Sequence, residues 1–213
     1  MKRLLAILFS LLLLMGCSSV YYGAMEKIGI HKRDILVDRV EEARDSQLEA
    51  KQQFVSALEQ FKTVIGFEGG ELEQKYQELN ATLEESEERA EEVRNRIAAV
   101  EDVAEALFDE WDAELDQYSS ASLRKASAQQ LKKTQNHYYK LIGAMKKAEA
   151  KIDPVLNPLR DQVLFLKHNL NARAIASLQS ELVNIETDVS RLIRDMELSI
   201  QEADQFISTL KAE

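Results

Sequence analysis

Histidine, cysteine and clustered carboxylates are the side chains that most often bind metals or carry out catalysis, and their spacing here supports neither role. The three histidines, His31, His137 and His168, lie far apart, and no HExxH, paired-cysteine or Glu-x-x-His motif occurs. The glycine cluster at 66–70 has no lysine and carries Glu68 where a P-loop would hold a phosphate. No GxSxG nucleophile motif is present. The sequence therefore predicts a protein that is not an enzyme, with no metal, no cofactor and no small-molecule substrate.

The single cysteine, Cys17, follows a short apolar segment with the form of a secretory signal. Two basic residues precede a 12-residue run at 4–15, interrupted by one serine. As a helix it would span roughly 18 Å, against about 30 Å of bilayer hydrocarbon, so it predicts a signal peptide at 1–16 rather than a permanent membrane span. Residues Leu14-Met15-Gly16-Cys17 resemble a bacterial lipobox. That resemblance implies cleavage between Gly16 and Cys17, and attachment of a diacylglycerol and a further acyl chain to Cys17. The alternative is an ordinary buried cysteine.

A lipidated Cys17 predicts attachment to a membrane, because two or more acyl chains anchor a protein stably. Ser18, rather than aspartate, follows the cysteine. In enterobacteria-like sorting this favours the periplasmic face of the outer membrane, with the periplasmic face of the inner membrane as the alternative. Residues 17–25 then form a short tether. Tyr21 and Tyr22 within it either lie at the level of the lipid headgroups or cap the end of the helical body.

The composition favours long helices. The 213 residues include only seven Gly and two Pro, and 45% are apolar and 30% charged, which speaks against disorder and against a turn-rich β-sandwich. Apolar residues recur at alternating spacings of three and four in successive segments joined by short turns. This pattern predicts an all-α protein, an elongated antiparallel four-helix bundle that forms a single domain over 26–213. The helices are expected at about 26–65, 71–118, 122–152 and 158–210.

Two features set the expected start of the fourth helix. The third helix is expected to end at Asp153-Pro154 and Asn157-Pro158, because a proline disfavours the helical conformation in the residue before it. The same residues are expected to begin the fourth helix, since proline is common at the first position of a helix. The apolar pattern then slips in phase near Ala174. We interpret the slip as a stutter that changes the supercoil without ending the helix.

The charge distribution argues against nucleic acid as a partner and pairs two of the helices. The net charge is −10, so no overall positive charge favours binding to the phosphates of a nucleic acid. Residues 71–118 carry a net charge of −13 and residues 123–152 a net charge of +7, which predicts that these two helices lie side by side. The lysines of the third helix then either face the acidic second helix, which we favour, or form a patch for anionic lipid or lipopolysaccharide phosphates. The four that we single out are Lys132, Lys133, Lys146 and Lys147.

The segment Val163-Leu164-Phe165-Leu166 is apolar on every side of a helix. Such a helix is either buried completely or contacts a partner. Burial between three helices is the preferred interpretation and a partner surface is the alternative. The aromatic residues between Phe108 and Tyr118 are likewise expected to belong to the core at one end of the bundle.

Three long segments resemble an uncharacterised family of helical lipoproteins from Gram-negative bacteria, a domain of unknown function. They are KRDILVDRVEEARDSQLEAKQQF (32–54), VEDVAEALFDEWDAEL (100–115) and DPVLNPLRDQVLFLKHNLNARAIASL (153–178), and with Cys17 they extend the resemblance over nearly all of 20–210. The resemblance implies a secreted, lipid-anchored helical protein with no assigned activity. Such coiled-coil chains sometimes receive a DNA-repair ATPase label, against which the missing P-loop and the signal peptide argue.

The function expected from these observations is that of a lipid-anchored periplasmic scaffold or adaptor of the cell envelope. It would contact the membrane through its anchor and either another envelope protein or a second copy of itself. The alternative function is an envelope lipid- or polyanion-binding module that uses the basic face of the third helix.

Overall fold

The computed structural model describes residues 22, 25, 29–66 and 72–212, which form helices joined by short turns, with no strand in these ranges. Cys17, the lipobox and the predicted signal peptide lie outside the described residues. Long helices form because the apolar side chains recur every three or four positions and only a helix collects them on one face. The helices are α1 (Lys32–Ile65), α2 (Leu72–Leu115), α3 (Ala121–Glu149), α4 (Ile152–His168) and α5 (Ala172–Ala212).

The helices form an antiparallel bundle of four rods. The rod α1 packs against α2 and α5, and α3 and α4 both lie between α2 and α5. Because a turn at 150–151 is all that separates α3 from α4, these two helices together make up the third rod. The α2 helix, with 44 residues, is about 66 Å long. The predicted all-α four-helix bundle is thus confirmed.

The position of the last chain reversal differs from the prediction. The sequence placed it at the two prolines and took the slip near Ala174 for a stutter, whereas the chain reverses at 169–171, between α4 and α5. Asn169 ends α4 there: its backbone N–H donates to the Leu166 carbonyl and its side-chain amide donates to the Phe165 carbonyl at 2.9 Å. An asparagine that bonds to the last turn in this way offers the backbone an alternative to the helix.

The prolines are compatible with helix for two different reasons. Pro154 is the third residue of α4, where the backbone N–H has no partner within the helix, so proline costs no hydrogen bond. Pro158 lies inside α4, and the helix continues through it because its apolar face stays packed. The prediction that Pro158 begins a helix is therefore wrong.

The predicted apolar stripes form one continuous core. Polar side chains interrupt it: Gln47 is fully buried in α1, and neither atom of its amide group has a hydrogen-bond partner among the described residues. Ser199 in α5 is also fully buried, and its hydroxyl has no hydrogen-bond partner in the described part of the chain. The largest fully buried apolar side chains are Phe54, Phe61, Phe206, Leu36, Leu79, Ile97, Leu141, Met145, Ile152, Leu156, Leu166 and Leu178.

One end of the bundle, called here the proximal end, gathers the start of α1 and the ends of α2 and α5. Lys32 Nζ lies 2.8 Å from Glu110 Oε1 of α2, and Lys211 Nζ of α5 lies 2.6 Å from Glu41 Oε1. The opposite, distal end holds the end of α1, the start of α2 and the loop at 169–171. Tyr22 packs against the bundle with 5% of its surface exposed, and its hydroxyl donates to Asp102 Oδ2 at 2.6 Å. Asp102 lies 13 residues, about 20 Å, before the end of α2, so Tyr22 packs along the side of the helical body and does not cap its end, while Tyr21 lies outside the described residues.

The aromatic residues near the proximal end are only partly in the core. Phe108 is buried, and Trp111 and Leu115 are partly buried against the core. Trp111 Nε1 donates to Ser127 Oγ of α3 at 2.8 Å, which joins α2 to α3. Tyr118, in the turn after α2, is 43% exposed, so the core prediction is wrong for this residue.

Candidate functional site

The apolar segment of α4 is split between core and solvent. Val163 and Leu166 are buried, but 56% of Leu164 and 38% of Phe165 are exposed. The prediction of burial on every side is wrong for these two residues, because, among the described helices, α4 packs chiefly against α2 and α5 and leaves the side chains of Leu164 and Phe165 open to solvent. An exposed leucine and phenylalanine next to each other near the distal end make this side of α4 the clearest candidate for a docking surface.

Charged residues flank this apolar pair. Asp161 precedes it and Lys167 and His168 follow it, all three exposed and without a partner among the described residues. We call Asp161, Leu164, Phe165, Lys167 and His168 the α4 tip surface. The sequence reasoning missed its polar members, although spacings of three and four place Asp161, Leu164, Phe165 and His168 on one helix face. Lys167 lies beside this face, about 100° around the helix from His168.

The other charged residues of α4 form ion pairs with α2. Arg160 Nη2 lies 2.6 Å from Glu87 Oε1 of α2. Asp153 Oδ1 lies 2.7 Å from Arg94 Nη2, also of α2. These two ion pairs tie α4 to α2 and fix which side of α4 faces solvent.

The four lysines singled out on α3 do not act together. Lys146 Nζ lies 2.8 Å from Glu101 Oε2 of α2, and this hydrogen bond raises the pKa of Lys146 above its ordinary value. Lys147 Nζ lies 2.8 Å from Asp195 Oδ1 of α5, whose side chain is only 9% exposed. Lys132 is 14 residues before Lys146 and therefore about 21 Å away along the helix axis. Contact with the acidic second helix is thus present at Lys146, whereas Lys147 contacts α5.

The basic residues in the middle of α3, Lys132, Lys133 and Lys140, share one surface hollow, called here the basic hollow. Its described lining contains no carboxylate. The sequence reasoning missed its uncharged members and its histidine, which a search for positions at i, i+3, i+4 and i+7 along α3 would have found. The lining residues are Gln129, Lys132, Lys133, Asn136, His137 and Lys140.

The two tyrosines beside these lysines have opposite environments. Tyr138 points into the core, where its ring meets Phe108 edge-on with the centroids 5.4 Å apart. Burial, with a smaller contribution from the charge of Glu101, raises the pKa of Tyr138 to about 12. Tyr139 is 62% exposed, so it is the one of the pair that could stack on a ligand.

Neither a metal site nor a membrane span occurs among the described residues. Among them, no three His, Cys, Asp or Glu side chains come together in a way that could hold a metal ion. Within the same ranges, none of the helices combines the length and apolarity needed to cross a bilayer.

Comparison with known proteins gives a family without an assigned activity. No curated protein matches the chain. A family model described as a protein of unknown function (DUF2959) matches residues 21–210, which includes all five helices up to the last residues of α5. The chain therefore belongs to the DUF2959 family of proteins of unknown function.

Proposed function

We propose that this protein is a scaffold or adaptor of the bacterial cell envelope, held by lipid on Cys17 at the periplasmic face of the outer membrane. Its bundle presents the α4 tip surface to a protein partner. The observation that carries the proposal is the exposure of Leu164 and Phe165 on a helix whose remaining sides are packed and ion-paired. An apolar pair held on a rigid helix is suited to docking, because little conformational entropy is lost when a partner binds.

The positions of the anchor and of the α4 tip surface support a spacer role. Cys17 lies five residues before Tyr22, and five residues span at most about 17 Å. Tyr22 is fixed at Asp102, whereas Arg160, one turn before Leu164, is fixed at Glu87. The interval from Asp102 to Leu164 along the bundle is therefore about 28 Å. Tyr22, the described residue nearest to the proposed anchor, and the α4 tip surface thus belong to different halves of the rod.

Replacing Cys17 by serine is expected to abolish acylation. In a Gram-negative host supplied with a labelled fatty acid, the wild-type chain should become labelled and fractionate with the outer membrane. The Cys17→Ser variant should be unlabelled and keep its signal peptide, because the thiol is the acceptor of the lipid. Ser19→Ala, two residues further on, is the matched control and should behave as wild type. A wild-type chain that is soluble and unlabelled would remove the anchor from the proposal.

The docking part of the proposal needs a separate readout. A photo-crosslinking side chain in place of Leu164 should give a discrete crosslinked protein in cells. The same side chain in place of Leu198, a leucine of similar exposure on α5, should not. No product from either position would argue against a scaffold that works through α4.

A second candidate function is the binding of envelope polyanions at the basic hollow, which is favoured by its lysines and by the lack of a carboxylate in its described lining. The detergent-solubilised full chain should then be retained on phosphocellulose at low salt in spite of its net charge of −10. Lys132→Ala with Lys140→Ala should elute at lower salt. Lys146→Ala with Lys147→Ala, which removes the same charge from paired lysines, should elute with wild type. A wild-type chain that flows through would exclude this candidate.

A further inference from the structure

We propose that the outer side of α3 lies on the anionic phospholipid surface to which Cys17 anchors the chain, and that this contact holds the proximal half of the bundle against the membrane. We call Lys125, Lys132, Tyr139 and Lys140 the α3 basic face. The inference rests on the proposed lipid anchor and takes the phospholipid headgroups as the polyanion at the basic hollow, whose lysines lie on the same side of α3.

The first argument is that α3 is a basic helix whose outer cations are not neutralised by the protein. The helix carries seven basic residues and a single acidic residue, Glu149. Lys125, Lys132 and Lys140 are exposed, and none of them has an ion pair or a hydrogen bond with a described residue. Their charges are therefore available to an anionic ligand.

These cations lie on one side of α3. Lys125, Lys132 and Tyr139 follow one another at intervals of seven residues, close to two helical turns, and Lys140 comes next, so the face covers about 22 Å of the helix axis. Tyr139 is 62% exposed, and a tyrosine ring suits the headgroup region because it is apolar with a polar tip. Glu202 of α5 lies only at the edge, in a hollow that it shares with Lys140.

Two other sides of the bundle would repel an anionic surface. In α1 and α2 every exposed charged residue is acidic, and the basic residues of both helices are partly or fully buried. The α2 helix is a neighbour of α3, whereas α1 packs against α2 and α5 and so lies across the bundle from α3. A rod tethered to an anionic surface would therefore turn α3 towards that surface and α1 away from it.

The second argument is the position of the tether. The Tyr22 hydroxyl donates to Asp102 Oδ2 of α2 at 2.6 Å, and the residue before Asp102 pairs with Lys146 of α3. Tyr22 is therefore level with Lys146, which is six residues and about 9 Å along the helix axis from Lys140. Cys17 lies five residues before Tyr22, at most about 17 Å away. The headgroups around the lipid anchor are thus within reach of the α3 basic face.

The attraction acts on the proximal half of the third rod. The α4 helix has two acidic and two basic residues, so it adds no net charge. The α4 tip surface begins at Asp161, which is 21 residues and about 32 Å beyond Lys140. An anionic surface repels the unpaired carboxylate of Asp161. Contact through α3 therefore leaves the α4 tip surface available to a protein partner.

The test measures which side of the bundle meets the headgroups. In the acylated full chain Cys17, the only cysteine, carries lipid, so an introduced cysteine takes a fluorophore specifically. Asn136→Cys places the fluorophore on the outer side of α3, and Gln52→Cys places it at an exposed position of α1. Both proteins are reconstituted into vesicles with a nitroxide quencher on the headgroups, made of phosphatidylcholine alone or mixed with phosphatidylglycerol.

Quenching is expected to depend on the position and on the lipid charge. With phosphatidylglycerol present, the fluorophore at 136 should be quenched at least about twofold more than the fluorophore at 52, because each lysine near an anionic surface strengthens the contact about fivefold. The difference should disappear in phosphatidylcholine alone. It should also disappear in about 1 M salt, where electrostatic forces extend only about 3 Å.

Replacing the lysines tests the charges directly. Lys132→Gln with Lys140→Gln should lower the quenching at 136 to the level at 52. Lys51→Gln with Lys62→Gln removes the same charge from ion-paired lysines of α1, at little cost in stability, and should leave the difference unchanged. Circular dichroism checks that all variants are folded. A difference that persists in phosphatidylcholine alone, or after replacement of Lys132 and Lys140, would overturn the inference.

Acylation separates this inference from the proposed function. Equal quenching at 136 and 52 in an acylated chain would overturn the contact through α3 and leave the lipid anchor standing. A wild-type chain that takes up no labelled fatty acid would remove the anchor, and this inference with it.

Discussion

Replacing Phe54 by alanine is expected to lower the free energy of unfolding by about 3–5 kcal/mol, the largest effect that we predict for a single side chain. Phe54 is fully buried in α1, which packs against both α2 and α5. Its removal would lose the burial of an aromatic ring and leave a cavity that three long helices cannot close without shifting. Urea unfolding of the full chain in mild detergent, followed by far-UV circular dichroism, measures the change.

The neighbouring residue supplies the control. Val55 is 42% exposed, so Val55→Ala should change the free energy of unfolding by no more than about 0.5 kcal/mol. Because a helix turns by roughly 100° per residue, adjacent positions test whether the stripe faces the core in the stated register. Equal effects at 54 and 55 would contradict that register.

The heptad pattern predicts the bundle well because burial of apolar side chains dominates the stability of long helices. Alternating spacings of four and three from Leu36 predict one stripe of α1 at positions 36, 40, 43, 47, 50, 54, 57, 61 and 64, and all of them are buried. Gln47 is the instructive member: the pattern places it in the core although its side chain is polar. Its amide is left without a hydrogen bond among the described residues, which costs roughly 1–3 kcal/mol. At position 47 the spacing of the apolar stripe, rather than the polarity of the side chain, determines burial.

The last turn could not be placed from the same reasoning. Apolar residues continue through α4 and into α5 with a slip in phase near Ala174, and periodicity alone does not distinguish a stutter from the reversal at 169–171. The local signals pointed elsewhere, because prolines interrupt helices more often than asparagines do. Pro154 costs no hydrogen bond because it lies in the first turn of α4. Whether a proline lies in a first turn depends on where the helix begins, and the residue pattern does not determine the first residue of a helix.

The candidate surfaces were predicted in part, for a related reason. Sequence periodicity indicates which side of a helix is apolar, but the number of neighbours around each helix comes from the bundle. Val163 and Leu166 face the core, whereas Leu164 and Phe165 face the side of α4 that neither α2 nor α5 covers. In the same way, Lys146 pairs with α2 and Lys147 with α5, although the two lysines are adjacent in sequence.

Replacing Pro158 by alanine is expected to stabilise the protein. Pro158 lies inside α4, where it removes the hydrogen bond that its N–H would make to the carbonyl of residue 154 and crowds that carbonyl. Such a proline costs about 3 kcal/mol relative to alanine in a helix interior. The change also gives the unfolded chain more freedom, which offsets about 0.4–1 kcal/mol of the gain. The measurement is the midpoint and slope of urea unfolding of the full chain, compared with wild type.

Pro154→Ala is the matched control, because it adds the same freedom to the unfolded chain but restores no hydrogen bond within the helix. Pro158→Ala should therefore exceed Pro154→Ala in free energy of unfolding by about 2–3 kcal/mol. Equal values for the two variants would mean that α4 bends at Pro158 in a way that already relieves the lost bond. In that case the α4 tip surface, which begins three residues later, would owe its orientation to this proline, and Pro158→Ala should then also weaken docking through Leu164.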